Sequence, residues 1–545
     1  MKKFILLCTF CWGMLVPGAR ACTSFLAGRN ATIDGSTFIT YAADSHTLYG
    51  ALKFIPAARH PKNSTMEIRE WDTNKLLGHI PQVEYTYKVV GNMNEHQLSI
   101  TESTWGGRPE LVDTTGIIDY GSLMYIALQR AKTAREAITV MTDLVSEYGY
   151  YSSGESFSIA DPEEVWIMEM IGKGPQNQGA VWVAVRIPDD CIATHANQSR
   201  IHKFPLDDKE NCLYSPDVIS FAREQGYFNG LNKDFSFADA YAPADFGALR
   251  GCEARVWSFY NRFNSSMGKY LSYLNGKSKE YLPLYIKPDK KLSVQDMKDA
   301  MRDHFEGTPF DMTQDVGAGP FKCPYRFRPM TFKVDSVEYT NERAVATQQT
   351  AFTLVAQMRS WLPNAIGGVL WFGVDDTNTC VYVPLYACLN EVPECYSELN
   401  GSMYDLSWTS AFWIHNWVAN MSYSRYDQMI EDIRPVQKDI ETTFYVQQPV
   451  IEKVANDLYR NDPVAAIRFL NAYSVAQAQQ TTVQWKKLGE FLLVKYLDGN
   501  RKKEKGGHFL ENGYGLPADP DFPGYSEEYY RAVAKDAGDR LKVAF

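Results

Sequence analysis

Residues 181–185 are Val-Trp-Val-Ala-Val, an apolar run with no polar residue at alternate positions. A strand with one face in water alternates apolar and polar side chains, so this run predicts a strand that is covered on both faces. Short strand-like runs lie around it, at residues 156–160, 165–170, 180–186 and 192–196. The chain therefore favours a sheet packed between other layers.

Further strands are predicted on both sides of this region. Residues 23–28 and 36–41 flank an Asp34-Gly35 turn, which is a strong β-hairpin signal. A second hairpin is predicted from residues 85–90 and 97–102, around segment 91–96. Three more strand-like runs occupy residues 348–358, 367–373 and 380–386.

Helices are predicted between and after these strands. Residues 117–148 indicate two helices and residues 294–305 another, because apolar residues recur there at helical spacing. From about residue 404 to 500 the chain is mostly helical, and one apolar stripe is predicted to pack into the core: Trp485, Leu488, Leu492 and Tyr496. We expect an α+β protein with two stacked sheets covered by helices.

The same patterns predict four segments along the 545 residues. Residues 1–21 form a signal peptide, residues 22–403 a sheet-containing domain, residues 404–500 a helical region and residues 501–545 a loop-rich tail. Within the tail, the Pro- and Gly-rich segment 517–524 is predicted to be loop.

Composition excludes several classes of function. The formal net charge is -10 and there is no long basic run, so we expect no nucleic-acid partner. From Cys22 onward the sequence has no zinc-type Cys/His spacing, and it has no nucleotide-binding motif, so we expect no metal and no cofactor. We expect no integral membrane segment, since no later apolar stretch approaches about 20 residues. The sequence leaves the oligomeric state open.

The first 21 residues have the pattern of a secretory signal. Lys2 and Lys3 precede an apolar run at residues 4–16, and Ala19-Arg20-Ala21 supplies small residues at the cleavage positions. This pattern predicts an exported protein, either periplasmic or extracellular, and cleavage after Ala21 would leave Cys22 as the first residue.

Three interpretations of Cys22 follow from its position. It could be acylated as a lipoprotein anchor, although Ala19 and Arg20 fit that signal poorly. It could be an N-terminal nucleophile whose own α-amine, with a pKa of about 7.7–8.0, takes the thiol proton. The cleavage site could also lie one or two residues away.

Seven other cysteines follow Cys22, and export permits disulfides among them. Cys380, Cys388 and Cys395 are close enough in sequence for one local bridge. The connectivity does not follow from the sequence.

Several collinear segments are similar to the N-terminal-nucleophile cysteine dipeptidase family, of the dipeptidase D type related to secernins. These segments are residues 22–28 (CTSFLAG), 31–37 (ATIDGST), 43–45 (ADS), 91–95 (GNMNE), 102–108 (ESTWGGR), 195–200 (HANQSR), 304–313 (HFEGTPFDMT) and 367–376 (GGVLWFGVDD). The resemblance implies a four-layer αββα sandwich. It also implies a thiol peptidase that hydrolyses dipeptides with a free amino end, through a thioester on Cys22. Together with the signal pattern of residues 1–21, this predicts a secreted dipeptidase.

The resemblance also implies roles for other residues. Asp44 would hold the α-amine of Cys22, Asn197 would donate to the oxyanion, and Thr104 or a backbone N–H near it would be a second donor. Arg255 would favour the thiolate as a positive charge near the thiol, or would form a surface salt bridge. Relatives carry a basic residue where this chain has Tyr41. An acidic residue that binds the substrate ammonium is expected without being identified.

Two alternatives to a dipeptidase stay open at this stage. One is an acyl-amide hydrolase of the same superfamily with the same nucleophile. The other is a surface-anchored binding lipoprotein that is acylated at Cys22. Acylation of the sulfur and the amine would block both groups that the enzyme needs, so these alternatives exclude each other in one active molecule.

Overall fold

The computed structural model describes residues 22–543. It is a mixed α/β structure with two large antiparallel sheets, four small ones and a helical C-terminal region. The predicted signal peptide, residues 1–21, lies outside the described residues.

Cys22 lies two residues before Ser24–Ala27, an inner strand of the first large sheet. The seven strands of this sheet are, in spatial order, Tyr285–Ile286, Ile192–His195, Ser24–Ala27, Thr37–Asp44, Thr350–Met358, Val369–Val374 and Val383–Tyr386. The hairpin predicted around Asp34-Gly35 is confirmed, because Leu26 pairs with Ile39 in antiparallel register.

The second large sheet has eight strands. In spatial order they are Cys212–Tyr214, Ala180–Ile187, Val165–Gly172, Gly154–Ala160, Ser99–Trp105, Met93–Asn94, Val89–Val90 and Phe54–Ile55. Residues 181–185 lie in this sheet, and all but Trp182 are buried, which agrees with the predicted double coverage.

The second predicted hairpin is wrong in its pairing. Val89–Val90 turns back on Met93–Asn94 through the two-residue loop Gly91-Asn92, with Gly91 in the left-handed region. The strand Ser99–Trp105 pairs along its whole length with Gly154–Ala160. The tight Gly-Asn loop closes the hairpin earlier than the sequence analysis predicts.

One hydrophobic core contains side chains from both large sheets, including Phe25 and Leu354 of the first and Ile167 and Val183 of the second. A second core lies between the other side chains of the eight-stranded sheet and two helices, Tyr120–Arg130 and Ala134–Tyr148. Helix Val294–Met301 contacts the first sheet at strands Thr37–Asp44 and Thr350–Met358. The nucleophile candidate therefore lies in the region where the two sheets meet.

The C-terminal region is built from three helices, Ala411–Tyr423, Tyr426–Asn461 and Pro463–Lys495. The predicted stripe is confirmed, since Trp485, Leu488 and Leu492 are buried in the core. The other α-helices are Val218–Glu224, Phe237–Tyr241, Phe246–Ala248, Ala254–Phe263, Leu271–Leu274, Asn364–Gly367 and Glu527–Ala537. The last of these lies in the tail that was predicted to be rich in loops. No helix within residues 22–543 is both long and apolar enough to cross a membrane.

Four two-stranded sheets complete the secondary structure. Their strand pairs are Ala58–Arg59 with Tyr85–Thr86, Thr65–Arg69 with Leu76–Pro81, Thr331–Val334 with Val337–Thr340, and Glu504–Lys505 with His508–Phe509. The eight cysteines of the described residues are all free thiols, so the local bridge that export permits among Cys380, Cys388 and Cys395 is not formed.

Candidate active site

Strand register brings three of the candidate residues together. Ser24 pairs with His195, and Thr23 bridges to Ala42 on the opposite side. Cys22, one residue before Thr23, therefore lies near Asn197 on one side and Asp44 on the other. Asn197 follows the end of its strand and has a left-handed backbone, with φ 57°.

The guanidinium group of Arg255 donates hydrogen bonds both to the segment that carries Cys22 and to the segment that carries Asn197. Its two terminal nitrogens donate to Cys22 O at 2.8 Å, Thr23 Oγ1 at 2.7 Å, Ala196 O at 3.2 Å and Asn197 Oδ1 at 2.9 Å. Its Nε donates to Gly251 O at 2.8 Å. The side chain is buried, and its five bonds match the five N–H groups of a guanidinium. These contacts replace the surface salt bridge considered from sequence.

The local backbone explains how Arg255 reaches the nucleophile. It belongs to helix Ala254–Phe263, which directly follows a π-helical turn, Leu249–Glu253. Gly251, which accepts the Nε bond, lies in that turn. π-Helical turns of this kind occur frequently at functional sites.

Asp44 is a buried carboxylate with two close partners. Its Oδ2 accepts from Arg343 Nη2 at 2.5 Å, and its Oδ1 accepts from Thr350 Oγ1 at 2.6 Å. Burial raises the pKa of Asp44, while the charge of Arg343 and the Thr350 hydroxyl act in the opposite direction. Asp44 is close enough for its charge to act on the Cys22 thiol.

Thr104 contacts the site through its carbonyl group. Asn197 Nδ2 donates to Thr104 O at 2.6 Å, whereas the Thr104 hydroxyl donates to Glu155 Oε1 at 2.5 Å. The residue thus orients the Asn197 amide, and its own hydroxyl is directed to the Glu155 carboxyl.

The Cys22 thiol is buried beside an acidic side chain that the sequence analysis did not assign to the site. Its Sγ lies 3.3 Å from Glu102 Oε1 and 3.8 Å from Tyr41 Oη, and Tyr41 donates to the same Glu102 oxygen. Burial, followed by the charges of Glu102 and Asp44, raises the pKa of Cys22 well above its usual range. The higher pKa favours the protonated thiol, so a base is needed before the sulfur can attack.

His195 has a structural position between the sheets. Its Nδ1 is 2.6 Å from Ser103 Oγ and its Nε2 is 2.7 Å from Ser158 Oγ, so both ring nitrogens are paired with the second sheet. Burial, together with the charge of Arg200, lowers the pKa of His195 to about 3. The ring is neutral and links the two sheets directly behind the nucleophile strand.

A cavity of about 150 Å³ lies next to the Asp44–Arg343 pair. Three arginines and Glu342 line it, and two of the arginines, Arg326 and Arg343, are paired with carboxylates. The third, Arg328, donates to the amide oxygen of Gln349.

Two residues that contact the candidate site were missed from the sequence. Glu102 lies within the strand Ser99–Trp105 and opens the family-like segment 102–108, but that segment gave it no role beside the thiol. Arg343 precedes the strand Thr350–Met358 and carries no motif. Both reach Cys22 or Asp44 only through tertiary packing.

Comparison with known proteins shows the family of the chain. A family model described as Peptidase family C69 matches residues 21–439, which is most of the chain. The chain belongs to peptidase family C69. The matched segment contains Cys22, Asp44, Thr104, Asn197 and Arg255.

Curated relatives of this C69 peptidase cover most of both chains. It is 27% identical to a probable dipeptidase of Latilactobacillus sakei over 425 residues, covering 74% of this chain and 82% of that protein. It is 27% identical to a probable dipeptidase of Salmonella dublin, with coverages of 71% and 85%. It is 23% identical to a probable dipeptidase B of Streptococcus pyogenes serotype M1, with coverages of 88% and 94%.

Proposed function

We propose that this C69 peptidase is an exported dipeptidase whose nucleophile is Cys22, exposed as the first residue when residues 1–21 are removed. The observation that carries the proposal is the convergence on Cys22 of Arg255, Asn197 and Asp44, within a chain whose relatives are named probable dipeptidases. The family match also begins at residue 21, one residue before Cys22. We assign the two large sheets and their covering helices to the four-layer αββα sandwich of N-terminal-nucleophile hydrolases.

The first chemical step uses the α-amine that cleavage would create on Cys22. The raised pKa of the thiol requires a general base, and this amine belongs to the same residue as the sulfur. The amine takes the thiol proton as Sγ bonds to the scissile carbonyl carbon. Asp44, on the adjacent strand, favours the protonated amine electrostatically.

The second step breaks the peptide bond. Negative charge develops on the carbonyl oxygen, and the Asn197 amide, oriented by Arg255 and the Thr104 carbonyl, supplies a donor for it. The protonated amine gives its proton to the departing amino group, which leaves a thioester on Cys22. Water, deprotonated by the same amine, then hydrolyses the thioester and regenerates the thiol.

The surroundings suit a small zwitterionic substrate. In the cavity next to the Asp44–Arg343 pair, Arg328 bonds to an amide and offers its positive charge to the carboxylate end of a dipeptide. We place the C-terminal residue of the substrate toward this cavity.

Hydrolysis of a dipeptide panel by the processed protein tests the proposal. We expect Cys22→Ala to abolish turnover while leaving the fold intact, as judged by circular dichroism. Cys191→Ala is the matched control, since Cys191 is also a buried free thiol near the first sheet and should keep wild-type turnover. Turnover by Cys22→Ala at the wild-type rate would refute the assignment.

A further inference from the structure

Glu102 occupies a position that the mechanism above leaves without a role. It comes from the second sheet, is 1% exposed, and places Oε1 3.3 Å from the nucleophilic sulfur. Tyr41, from the first sheet, donates to the same oxygen. The carboxylate thus reaches between the sheets to the point where the reacting carbonyl must arrive.

A carboxylate at this position is unfavourable for the nucleophile alone. Negative charge beside the sulfur opposes formation of the thiolate, and a buried charge loses its hydration. Glu155 adds a second buried acid to this cluster, and burial together with the nearby Glu102 raises the pKa of Glu155 well above its usual range. A cationic group bound beside Glu102 would compensate the charge at the sulfur.

The dimensions of a dipeptide place such a cation at the right distance. In a near-attack geometry the scissile carbonyl carbon lies about 3–3.5 Å from the sulfur. The α-ammonium nitrogen is joined to that carbon through a single Cα, which fixes the two atoms about 2.5 Å apart. The ammonium therefore lies roughly 3–6 Å from the sulfur. Glu102 Oε1 lies 3.3 Å from the sulfur, so a dipeptide whose amino end is turned toward Glu102 brings its ammonium to the 2.7–2.9 Å of a charged hydrogen bond.

We propose that Glu102 is the specificity-determining residue that accepts the α-ammonium group of the substrate, so that cleavage is confined to peptides with a free amino end. This inference rests on the proposed function, since it uses Cys22 as the attacking group. A substrate with an acylated nitrogen carries no positive charge at that position, so it would lose the charged hydrogen bond to Glu102. A site built to hydrogen-bond one substrate group rejects an analogue that lacks it by large factors.

The first test compares alanyl-alanine with N-acetyl-alanyl-alanine, which share the same scissile bond. We expect Glu102→Gln to lower kcat/KM for the free dipeptide by about 30- to 1000-fold, and to leave the acetylated compound unchanged or improved. The Gln side chain keeps the shape and the acceptor for Tyr41. Glu169→Gln is the matched control, because Glu169 is also a buried acid of the second sheet but bonds to Ser156, Ser199 and backbone N–H groups instead of Cys22. That control should keep the wild-type preference between the two substrates.

The second test requires no turnover. Alkylation of Cys22 by iodoacetamide is measured with and without L-alaninamide, which carries the ammonium, and N-acetyl-L-alaninamide, which does not. We expect protection by L-alaninamide alone in the wild-type protein, and loss of that protection in Glu102→Gln.

The outcomes separate this inference from the proposed function. An equal loss on both substrates in Glu102→Gln, or equal protection by both amides in the wild type, would overturn the role of Glu102 while leaving a Cys22 dipeptidase intact. Selective protection of Cys22 from alkylation by L-alaninamide, without hydrolysis of any dipeptide, would support the ammonium site and refute the proposed dipeptidase activity.

Discussion

Replacing Arg255 with lysine tests whether the guanidinium acts by positioning Cys22 and Asn197 or by stabilising the thiolate with its charge. The guanidinium uses all five N–H groups, three on buried acceptors in Cys22, Thr23 and Ala196 and two on partly buried acceptors in Asn197 and Gly251. Lysine keeps the charge but has three donors, so at least two acceptors lose their partners. Each unpaired buried group costs about 1–3 kcal/mol, which gives a loss of about 2–6 kcal/mol in the free energy of unfolding.

The same change should lower turnover through geometry. Arg255 fixes the backbone of Cys22 relative to the amide of Asn197, and displacement of reacting groups by about 1 Å costs roughly 100-fold in rate. We expect kcat of Arg255→Lys to fall by about that factor. The pKa of the thiol, followed by the pH dependence of iodoacetamide alkylation, should stay where it is in the wild type because the charge is retained.

A second lysine substitution on the same helix is the control. Arg262 pairs with Asp303 at 3.1 Å and is partly exposed, so Arg262→Lys should cost at most about 1 kcal/mol. Denaturant unfolding and steady-state kinetics are measured for both variants. Equal stability and equal kcat in the two variants would refute the positioning role, and a fall in kcat matched by a shift in the thiol pKa would assign Arg255 to thiolate stabilisation.

Two further predictions concern Asp44 and His195. Asp44→Asn leaves the Arg343 guanidinium beside a neutral amide, so denaturant unfolding should show a loss of about 3–5 kcal/mol in the free energy of unfolding. The same variant should lower kcat by about 10²- to 10⁴-fold with a smaller change in KM. Equal effects on kcat and KM would instead indicate a binding role. His195 has a pKa of about 3 in the folded protein and of about 6.5 in the unfolded chain. Between these two pH values the unfolded chain binds a proton that the folded protein does not bind. The free energy of unfolding therefore falls on acidification by up to about 1.4 kcal/mol per pH unit. His195→Gln should remove this part of the pH dependence of unfolding, and an unchanged slope between pH 6.5 and pH 4 would contradict the assignment.

The sequence could predict those parts of the site that lie on neighbouring strands joined by a turn with a clear sequence signal. The Asp34-Gly35 hairpin places Asp44 near Cys22, because antiparallel register fixes which residues face each other. The burial of residues 181–185 follows from their lack of alternation, and the C-terminal helices follow from their spacing.

The parts that sequence could not predict depend on contacts between separate layers. Glu102 reaches Cys22 only because the second sheet packs against the first, and the periodicity of its own strand carries no information about that packing. Arg343 and Asp44 form their ion pair although they lie 299 positions apart in the sequence. The predicted pairing of residues 97–102 failed for a related reason, since their partner strand, Gly154–Ala160, is distant in sequence.

The central claim is that a free amine and a free thiol on one residue, Cys22, perform the reaction. Intact and peptide-level mass spectrometry of the active, acid-quenched protein during dipeptide turnover tests it most directly. The account predicts a chain that begins at unmodified Cys22, and a fraction that carries one aminoacyl group on the Cys22 sulfur. Active protein that begins at another residue, or whose Cys22 amine or sulfur is blocked by a lipid, would contradict it.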